Sequence, residues 1–385
     1  MKNIIILTGP TAVGKTEISI QLAKKVGAEI ISADSMQVYK GMDIGTAKIT
    51  QEEMCGVNHY LIDILSPSQG FDVVQFQTLA KEAINQIYQN GHIPMIVGGT
   101  GFYIQSVLYD IDFNKDLSTI VNFNKNDIAN QTNILNPNYI NNEESNCNID
   151  NEFEHKAIID EEYCKSLCIM QNNSDISNKC ECRTTINEEY RKSLYNIAQT
   201  KGNDVLHRML TEVDKESAEN IHPNNVKRVI RALEYYKETG NKISSHNETQ
   251  KQKESPYNFA YFVLNDDRKE LYKKIDARVE MMFQKGLAEE TKKLIDCGLK
   301  KESTAMSGIG YKELFDYHEG RVSLEQTIEL IKQHTRHFAK RQITWFKRER
   351  DVEWINYPEY NYSKEKILKA MLEKLQERNI INKNG

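Results

Sequence analysis

The residues with the clearest chemical meaning lie between positions 9 and 16. They fit the pattern G-x-x-x-x-G-K-[ST], and they stand between an apolar run and a helix-like segment, which is the context that the pattern requires. Glycines let backbone N–H groups converge on phosphate oxygens, and the start of the helix adds positive potential. The lysine adds a charge, and the threonine hydroxyl can bind Mg²⁺. The sequence therefore predicts a phosphate-binding loop of Gly9, Pro10, Thr11, Ala12, Val13, Gly14, Lys15 and Thr16.

Two further polar clusters follow predicted strands. Asp34 comes directly after the second strand, and loops at the carboxyl ends of parallel strands line the active crevice. Its carboxylate is a candidate Mg²⁺ ligand or general base, although an ordinary helix cap would also place an Asp here. The third strand ends in Gly98-Gly99-Thr100-Gly101, where a nucleotide hydrolase often carries an Asp. Glycines permit close backbone approach and Thr100 offers a neutral hydroxyl, but a plain glycine turn would look the same.

Basic residues are concentrated in two places. Lys227 and Arg231 are four apart and share one face of a predicted helix. Residues 332–350 carry seven Lys and Arg against one acid, with Phe338 and Trp345 among them. The net charge is −5, which excludes a uniformly basic nucleic-acid binder but not a local basic face. Such a face suits an RNA backbone, and an ordinary solvated helix is the alternative.

The elements that must position these residues alternate in the first third of the chain. Residues 4–7, 29–32 and 94–97 are short apolar runs rich in β-branched residues, which predict buried strands. Residues 17–26 and 72–89 lie between them and have helical spacing of apolar residues. This alternation of strand and helix is typical of a doubly wound α/β domain with a parallel sheet.

The second half of the chain is mainly helical by its apolar spacing. One strong strand signal, FAYFVL, interrupts it at 259–264. Residues 241–256 are polar and predict a linker. Helices are predicted at 188–200, 204–213, 222–236, 268–286, 288–296, 311–318 and 323–347, with an amphipathic tail at 363–378.

Composition changes sharply after position 113. Residues 114–185 are rich in Asn and acidic residues, which favours a polar insertion or a disordered loop. A metal site is the alternative, but the cysteine spacings do not match the usual CxxC pairs. The cysteines of residues 114–185 are Cys147, Cys164, Cys168, Cys180 and Cys182.

No run of 18 apolar residues occurs, and Ile4–Leu7 is too short for a signal peptide core, so we expect a cytoplasmic protein that does not enter a membrane.

Taken together, these clusters resemble one enzyme family, the tRNA dimethylallyltransferases, which prenylate an adenosine beside the anticodon. The stretches GMDIGTAK and KRQ-x-TW are far more specific than the phosphate loop. The matching stretches occur in the family's order and cover the chain except its insertion and tail. They are GPTAVGKT (9–16), SADSMQVYKGMDIGTAK (32–48), HYLIDI (59–64), VGGTGFY (97–103), IHPNNVKRVIRALE (221–234), GIGYKEL (308–314) and RHFAKRQITWF (336–346).

The resemblance implies a reaction. The phosphate loop would hold the diphosphate of dimethylallyl diphosphate together with Mg²⁺, with Thr16 as the metal-binding residue. The N6 amine of adenosine 37 would attack the allylic carbon, and diphosphate would leave. Asp34 matches the family's catalytic carboxylate, which takes the proton from that amine, and Thr100 matches a threonine that hydrogen-bonds at the reacting centre.

The resemblance also implies contacts with the anticodon stem-loop of tRNA. The stretch from Asp34 to Gln37, together with Thr100, matches residues near the target base. The residues that it assigns to tRNA binding are Asp34, Ser35, Met36, Gln37, Thr100, Arg191, Asn225, Lys227, Arg228 and Arg231. A family signature near the active site adds Lys340, Arg341 and Gln342 as further candidates.

The expected fold is an α/β core with a phosphate loop and a parallel sheet, interrupted by a mainly helical tRNA-binding subdomain. We expect the core in 1–113 and 257–358, the polar insertion in 114–185, the helical subdomain in 186–256 and a charged tail in 359–385. A monomer is expected from the resemblance alone. The competing functions are a nucleotide or small-molecule kinase, an adenylate isopentenyltransferase that acts on free nucleotides, and an RNA-binding ATPase switch.

Overall fold

The computed structural model describes residues 2–113 and 189–382. The insertion predicted at 114–185, with its cysteines and the alternative metal site, lies outside the described residues. The described residues form two compact units, one from 2–113 with 254–382 and the other from 189–253.

The first unit is built on a parallel sheet of six strands. They are β1 (Lys2–Thr8), β2 (Ala28–Ala33), β3 (His59–Tyr60), β4 (Ile93–Gly98), β5 (Tyr257–Asn265) and β6 (Val352–Asn356). Their order across the sheet is β3-β2-β4-β1-β5-β6, and every pairing is parallel. β1 is therefore central and pairs with β4 on one side and β5 on the other, so the predicted α/β class is confirmed.

Helices cover both faces of this sheet, as a parallel sheet requires. Along β1, Ile4 and Ile6 face one apolar core, whereas Ile5 and Leu7 face the other. The helices of this unit are α1 (Lys15–Val26), α2 (Gln51–Met54), α3 (Val73–Gln89) and α4 (Gly101–Leu108) before the gap. After the gap it adds the helices numbered α10 (Arg268–Gln284), α11 (Leu287–Asp296), α12 (Tyr311–His318), α13 (Leu324–Phe346) and α14 (Lys364–Glu377).

The second unit contains only helices and the turns between them in its described residues. It consists of α5 (helical from 189 to 201), α6 (Asn203–Val213), α7 (Lys215–Asn220), α8 (Val226–Thr239) and α9 (Ile243–Gln252). Its own core contains Leu194, Leu206, Leu210, Val229 and Leu233, which are all buried. α8 ends at Gly240 with a left-handed backbone, a conformation that favours glycine.

The linker predicted at 241–256 is wrong, because most of it is helix α9. The first residue before α9, Lys242, offers no side-chain cap. The buried carboxylate of Asp214 caps it instead, accepting hydrogen bonds from the Ser244 backbone N–H at 3.0 Å and from its hydroxyl at 2.8 Å. The same carboxylate caps α7 through the backbone N–H of Ser217. Two strands, β3 and β6, were also missed, since each is only two to five residues long.

Candidate active site

The predicted phosphate loop connects β1 to α1. Gly9 has φ +148°, and a Cβ there would lie 2.5 Å from the carbonyl oxygen of Leu264 on the neighbouring strand. Gly14 has φ +95°, and α1 begins at the next residue. The Nζ of Lys15 donates to the carbonyl oxygens of Gly9 at 3.0 Å and Pro10 at 2.9 Å. The loop thus takes a curved form that only glycine permits at these two positions.

Lys15 lies close to a second cation that sequence reasoning missed. Burial, and after it the Arg278 guanidinium, lowers the pKa of Lys15 to about 8, although the Asp34 carboxylate opposes both effects. Arg278 is a half-buried residue of α10, and burial also lowers its pKa. Within the described residues its guanidinium has no hydrogen bond or ion pair. Two partly desolvated cations beside one carboxylate favour a multiply charged anion at this loop.

Asp34 lies at the carboxyl end of β2 and is half-buried. Its Oδ1 accepts hydrogen bonds from the backbone N–H groups of Met36 at 2.9 Å and Gln37 at 3.3 Å. Asp34 therefore does cap the turn that follows β2, which was the alternative to a catalytic role. Only one carboxylate oxygen takes part in it, and no hydrogen bond engages Oδ2 in the described chain. The carboxylate is thus fixed by its turn while one oxygen stays available as a base.

The side chain of Gln37 is used within the protein. Its amide donates to the carbonyl oxygens of Thr46 at 3.2 Å and Ala47 at 3.4 Å, and its Oε1 accepts from Ser32 Oγ at 3.2 Å. Gln37 therefore joins the end of β2 to the loop of the GMDIGTAK motif. The neighbouring residues Ser35 and Met36 are both half-buried.

The GMDIGTAK loop is held from its other side by Glu290 of α11, a second residue that the sequence did not single out. One carboxylate accepts three backbone N–H groups, from Asp43 at 2.9 Å, Ile44 at 2.8 Å and Gly45 at 3.1 Å. The hydroxyl of Tyr311 donates to the same carboxylate at 2.6 Å. A carboxylate that accepts several backbone N–H groups makes a strong contact, so this loop is rigidly placed.

Thr100 follows β4 and begins α4. Its backbone N–H donates to the carbonyl oxygen of Ala33 at 3.2 Å, which brings the ends of β2 and β4 together. Its hydroxyl makes no capping bond and is half-buried. Gly98 is required here, because a Cβ would lie 2.2 Å from the Ala33 carbonyl oxygen. Asp34 and Thr100 therefore stand at the ends of adjacent strands, and β4 is also adjacent to the strand that leads into the phosphate loop.

The three candidates on α13 have different environments. Lys340 and Arg341 are exposed, and the Arg341 guanidinium lies 5.6 Å from the ring centroid of Phe338. Gln342 is buried, accepts from the backbone N–H of Thr11 at 2.9 Å, and donates to the carbonyl oxygen of Gly99 at 2.9 Å. Of the three, only Gln342 is in hydrogen-bond contact with the loops of the site.

The predicted tRNA-binding residues of the second unit also differ from one another. Lys227, Arg228 and Arg231 of α8 are exposed, and none has an ion pair among the residues that the structure describes. Arg191, by contrast, pairs with the buried Glu234, with Nε 2.5 Å from Oε1 and Nη2 3.2 Å from Oε2. Its charge is thus largely neutralised within the protein. Asn225 is exposed and stands at the start of α8.

Thr16, at the start of α1, is the predicted Mg²⁺-binding residue of the loop. The Thr16 hydroxyl is exposed and has no hydrogen-bond partner among the described residues. A hydroxyl oxygen is a hard ligand that suits Mg²⁺, which usually takes its remaining ligands from phosphate and water. Within 2–113 and 189–382, no group of three His, Cys, Asp or Glu could hold a metal. Each helix in these two ranges is too short or too polar to span a lipid bilayer.

Known proteins match the chain over nearly its whole length. The family model described as IPP transferase matches residues 37–146 and 163–349. A tRNA dimethylallyltransferase of Lachnoclostridium phytofermentans is 47% identical over 99% of this chain and 100% of its own length.

Two solved structures have similar folds. The full-length tRNA isopentenylpyrophosphate transferase of Bacillus halodurans is 35% identical, covers 98% of both chains and has a TM-score of 0.60. A eukaryotic dimethylallyltransferase solved acting on tRNA is 26% identical, with a TM-score of 0.62 over 92% of this chain and 74% of that one.

Proposed function

The chain belongs to the IPP transferase family, and from that premise we propose that it is a tRNA dimethylallyltransferase. It transfers a dimethylallyl group from dimethylallyl diphosphate to the N6 amine of adenosine 37 in tRNA, beside the anticodon, and releases diphosphate. The observation that carries this proposal is the pairing of a doubly cationic phosphate loop with Asp34 and Thr100 on neighbouring strand ends. In this proposal the bound diphosphate, the Asp34 carboxylate and the Thr100 hydroxyl all face one crevice.

The diphosphate occupies the loop of residues 9–16. Backbone N–H groups at the start of α1 bind its oxygens, and Lys15 and Arg278 balance its charge. This arrangement matters most in the transition state, when the breaking C–O bond places further negative charge on the leaving diphosphate. Mg²⁺ bound at Thr16 would supply additional charge neutralisation to the same oxygens.

The remaining step is a proton transfer. As the N6 nitrogen forms its bond to the allylic carbon, the C–O bond breaks and its electron pair leaves with the diphosphate. The nitrogen then carries an excess proton, which passes to Asp34. The Thr100 hydroxyl hydrogen-bonds at the reacting centre and orients the amine. A positioned base of this kind typically contributes about 10²–10⁴-fold to the rate.

The tRNA binds through its phosphates to the exposed cations of α8, namely Lys227, Arg228 and Arg231, with Asn225 beside them. Such contacts position the RNA without reading its sequence. The target adenosine must leave its stack to reach a half-buried carboxylate, as in other enzymes that modify bases. Arg191 contributes less charge to this surface, because Glu234 neutralises it. The cytoplasmic location and the monomeric state stay predictions.

A labelling experiment tests the reaction class and the acceptor together. Purified protein, Mg²⁺ and dimethylallyl diphosphate labelled in its alkyl group are incubated with unmodified tRNA or, in a second tube, with AMP. A third tube contains tRNA and ATP and is assayed for ATP turnover. We expect label in the tRNA alone, located at adenosine 37 after nuclease digestion. Label in AMP would indicate a free-nucleotide prenyltransferase, and ATP consumption without label transfer would indicate a kinase or an ATPase.

The matched control is Asp34→Asn, which preserves the size of the side chain and one oxygen for the turn. It should bind tRNA and inorganic pyrophosphate normally but transfer almost no label. A variant that transfers label at the wild-type rate would contradict the role of Asp34, even if the overall reaction is as proposed.

A further inference from the structure

The side-chain amide of Gln342 connects two loops that are far apart in the sequence. Its Oε1 accepts the backbone N–H of Thr11, in the phosphate loop, at 2.9 Å. Its Nε2 donates to the carbonyl oxygen of Gly99, directly before Thr100, at 2.9 Å. These partners lie 331 and 243 residues away from Gln342 along the chain. Helix α13 thus places a single amide between the two sides of the crevice.

The contact requires an amide and little else fits. One loop presents a donor and the other presents an acceptor, and Gln is a neutral side chain of this length that offers both. The residue is only 6% exposed, so water does not readily replace either bond. The fit is close, since a Cβ at Gly99 would lie 2.2 Å from Nε2. The absence of a side chain at Gly99 is therefore what makes room for Gln342.

The same helix touches the Thr100 loop a second time. Trp345, one turn after Gln342, packs against Gly101, where a Cβ would lie 2.2 Å from the indole ring. The backbone on both sides of Thr100 is therefore held by α13. The phosphate loop is attached to this helix through the N–H of Thr11.

We propose that Gln342 is a positioning residue that fixes the phosphate loop relative to Thr100, and so fixes the allylic carbon relative to the attacking amine. The inference rests on the proposed function, in which the diphosphate lies in one loop and Thr100 orients the acceptor. Gln342 does not touch the reacting atoms in this account. It acts through Thr11 on one side and through Gly99 on the other.

Replacement of Gln342 should lower the rate of dimethylallyl transfer without weakening the binding of diphosphate. The N–H groups at the start of α1 and the charge of Lys15 do not depend on Gln342, so a variant should still bind diphosphate. The relative placement of the two substrates should be lost, and an error of about 1 Å in such placement costs on the order of 10²-fold in rate. A residue with a purely structural role would instead lower the melting temperature and leave the rate per folded molecule unchanged.

The first test compares Gln342→Met with wild type. Methionine has a similar length but supplies neither hydrogen bond. We expect the single-turnover rate of dimethylallyl transfer to fall by about 10–100-fold, while the dissociation constants of inorganic pyrophosphate and tRNA change by less than about threefold. The control is Thr327→Val on the same helix, a buried residue whose hydroxyl bonds, within 2–113 and 189–382, to Ser323 alone at the start of that helix. It should leave the rate unchanged.

The second test uses Gln342→Glu, which retains the acceptor for Thr11. When ionised, the carboxylate opposes the Gly99 carbonyl oxygen, whereas the protonated form can donate to it. Burial raises the pKa of the new carboxyl group, so protonation occurs in an accessible pH range. The rate of Gln342→Glu, divided by the wild-type rate at each pH, should rise as the pH falls from about 8 to 5.5. The division removes every pH effect on the rate that the two proteins share.

Each outcome supports or refutes the inference. A Gln342→Met variant with a rate within about twofold of wild type would overturn it, and so would a rate loss fully explained by weaker pyrophosphate binding. If Gln342→Met fails to fold, the pH profile of Gln342→Glu decides, and a flat ratio refutes the positioning role. Absence of transfer by wild type would refute the proposed function instead, so the two failures are distinguishable.

Discussion

The protonation of Lys15 should control how diphosphate binding depends on pH. Burial, and after it the neighbouring Arg278, lowers the pKa of Lys15 in the free protein to about 8. A bound diphosphate favours the charged amine and raises this pKa again. The protein must therefore bind a proton together with the anion when the pH is near or above 8.

The sign and size of the effect follow from this shift. Below about pH 7 the amine is already charged and affinity is at its plateau. As the pH rises through 8, affinity falls, by about twofold at pH 8 and by about tenfold at pH 9, because the neutral fraction of the amine must take up a proton when the anion binds. The fall ends at the higher pKa of the complex.

Isothermal titration calorimetry with an unreactive alkyl diphosphate measures both the affinity and the number of protons taken up on binding. At pH 8, titrations in buffers of different ionisation enthalpy should show uptake of about half a proton per ligand. Arg278→Gln should weaken binding and move the pH-dependent fall to higher pH, since it removes one of the causes that lower the pKa of Lys15. Arg268→Gln, at the exposed start of the same helix, is the control. A constant affinity between about pH 7 and 9, without proton uptake, would refute the reasoning.

Three further predictions concern the base, the tRNA surface and the helical unit. Asp34→Asn should lower the single-turnover rate by about 10²–10⁴-fold without weakening tRNA or pyrophosphate binding, and a near-normal rate would contradict a general base. Lys227→Gln should reduce by about one unit the slope of the logarithm of the tRNA binding constant against the logarithm of salt concentration. Arg191→Gln should change this slope less, because Glu234 already neutralises the Arg191 guanidinium. Equal changes of slope in the two variants would contradict this expectation. Asp214→Ala removes four hydrogen bonds and two helix caps. This should destabilise α9 by about 3 kcal/mol and speed amide hydrogen exchange at 243–252 about a hundredfold. The control is Asp72→Ala, which removes a cap of α3 and should leave α9 protected from exchange. Burial would raise the pKa of Asp214, but hydrogen bonds from Ser244 and Ser217 outweigh burial and hold the pKa below its ordinary value. The stabilisation of α9 by this carboxylate should therefore be complete above the ordinary pKa of an Asp and be lost as the pH falls through the lowered pKa.

Local sequence patterns predicted most of the elements and the phosphate loop. The run Ile4–Leu7 is apolar and β-branched, and it became the centre of β1. The glycines at 9 and 14 stand where the backbone needs positive φ, which is a property of single residues and their neighbours. Gly240 ended α8 for the same reason. These features depend on residues close together in the chain, so the sequence alone carries them.

Other features depend on residues that meet only after folding. Nothing near 243–252 predicts a helix, because its cap comes from Asp214, which is 30 residues away from Ser244. Arg278 is an isolated arginine within a helix, and only its proximity to Lys15 in the folded chain gives it a chemical role. The resemblance assigned Arg191 to tRNA, yet Glu234 occupies its guanidinium.

The candidate site shows the same division. Its residue types, which are a glycine-rich phosphate loop, a carboxylate and a hydroxyl after strands, were readable from short motifs, because each motif follows its own strand. Their relative placement was not, since it depends on strand order and on side chains such as Gln342 and Glu290 that reach across from distant helices. The sequence determined which chemistry was available, and the tertiary structure decided which groups face one another, because hydrogen bonds across hundreds of residues form only when the sheet has assembled.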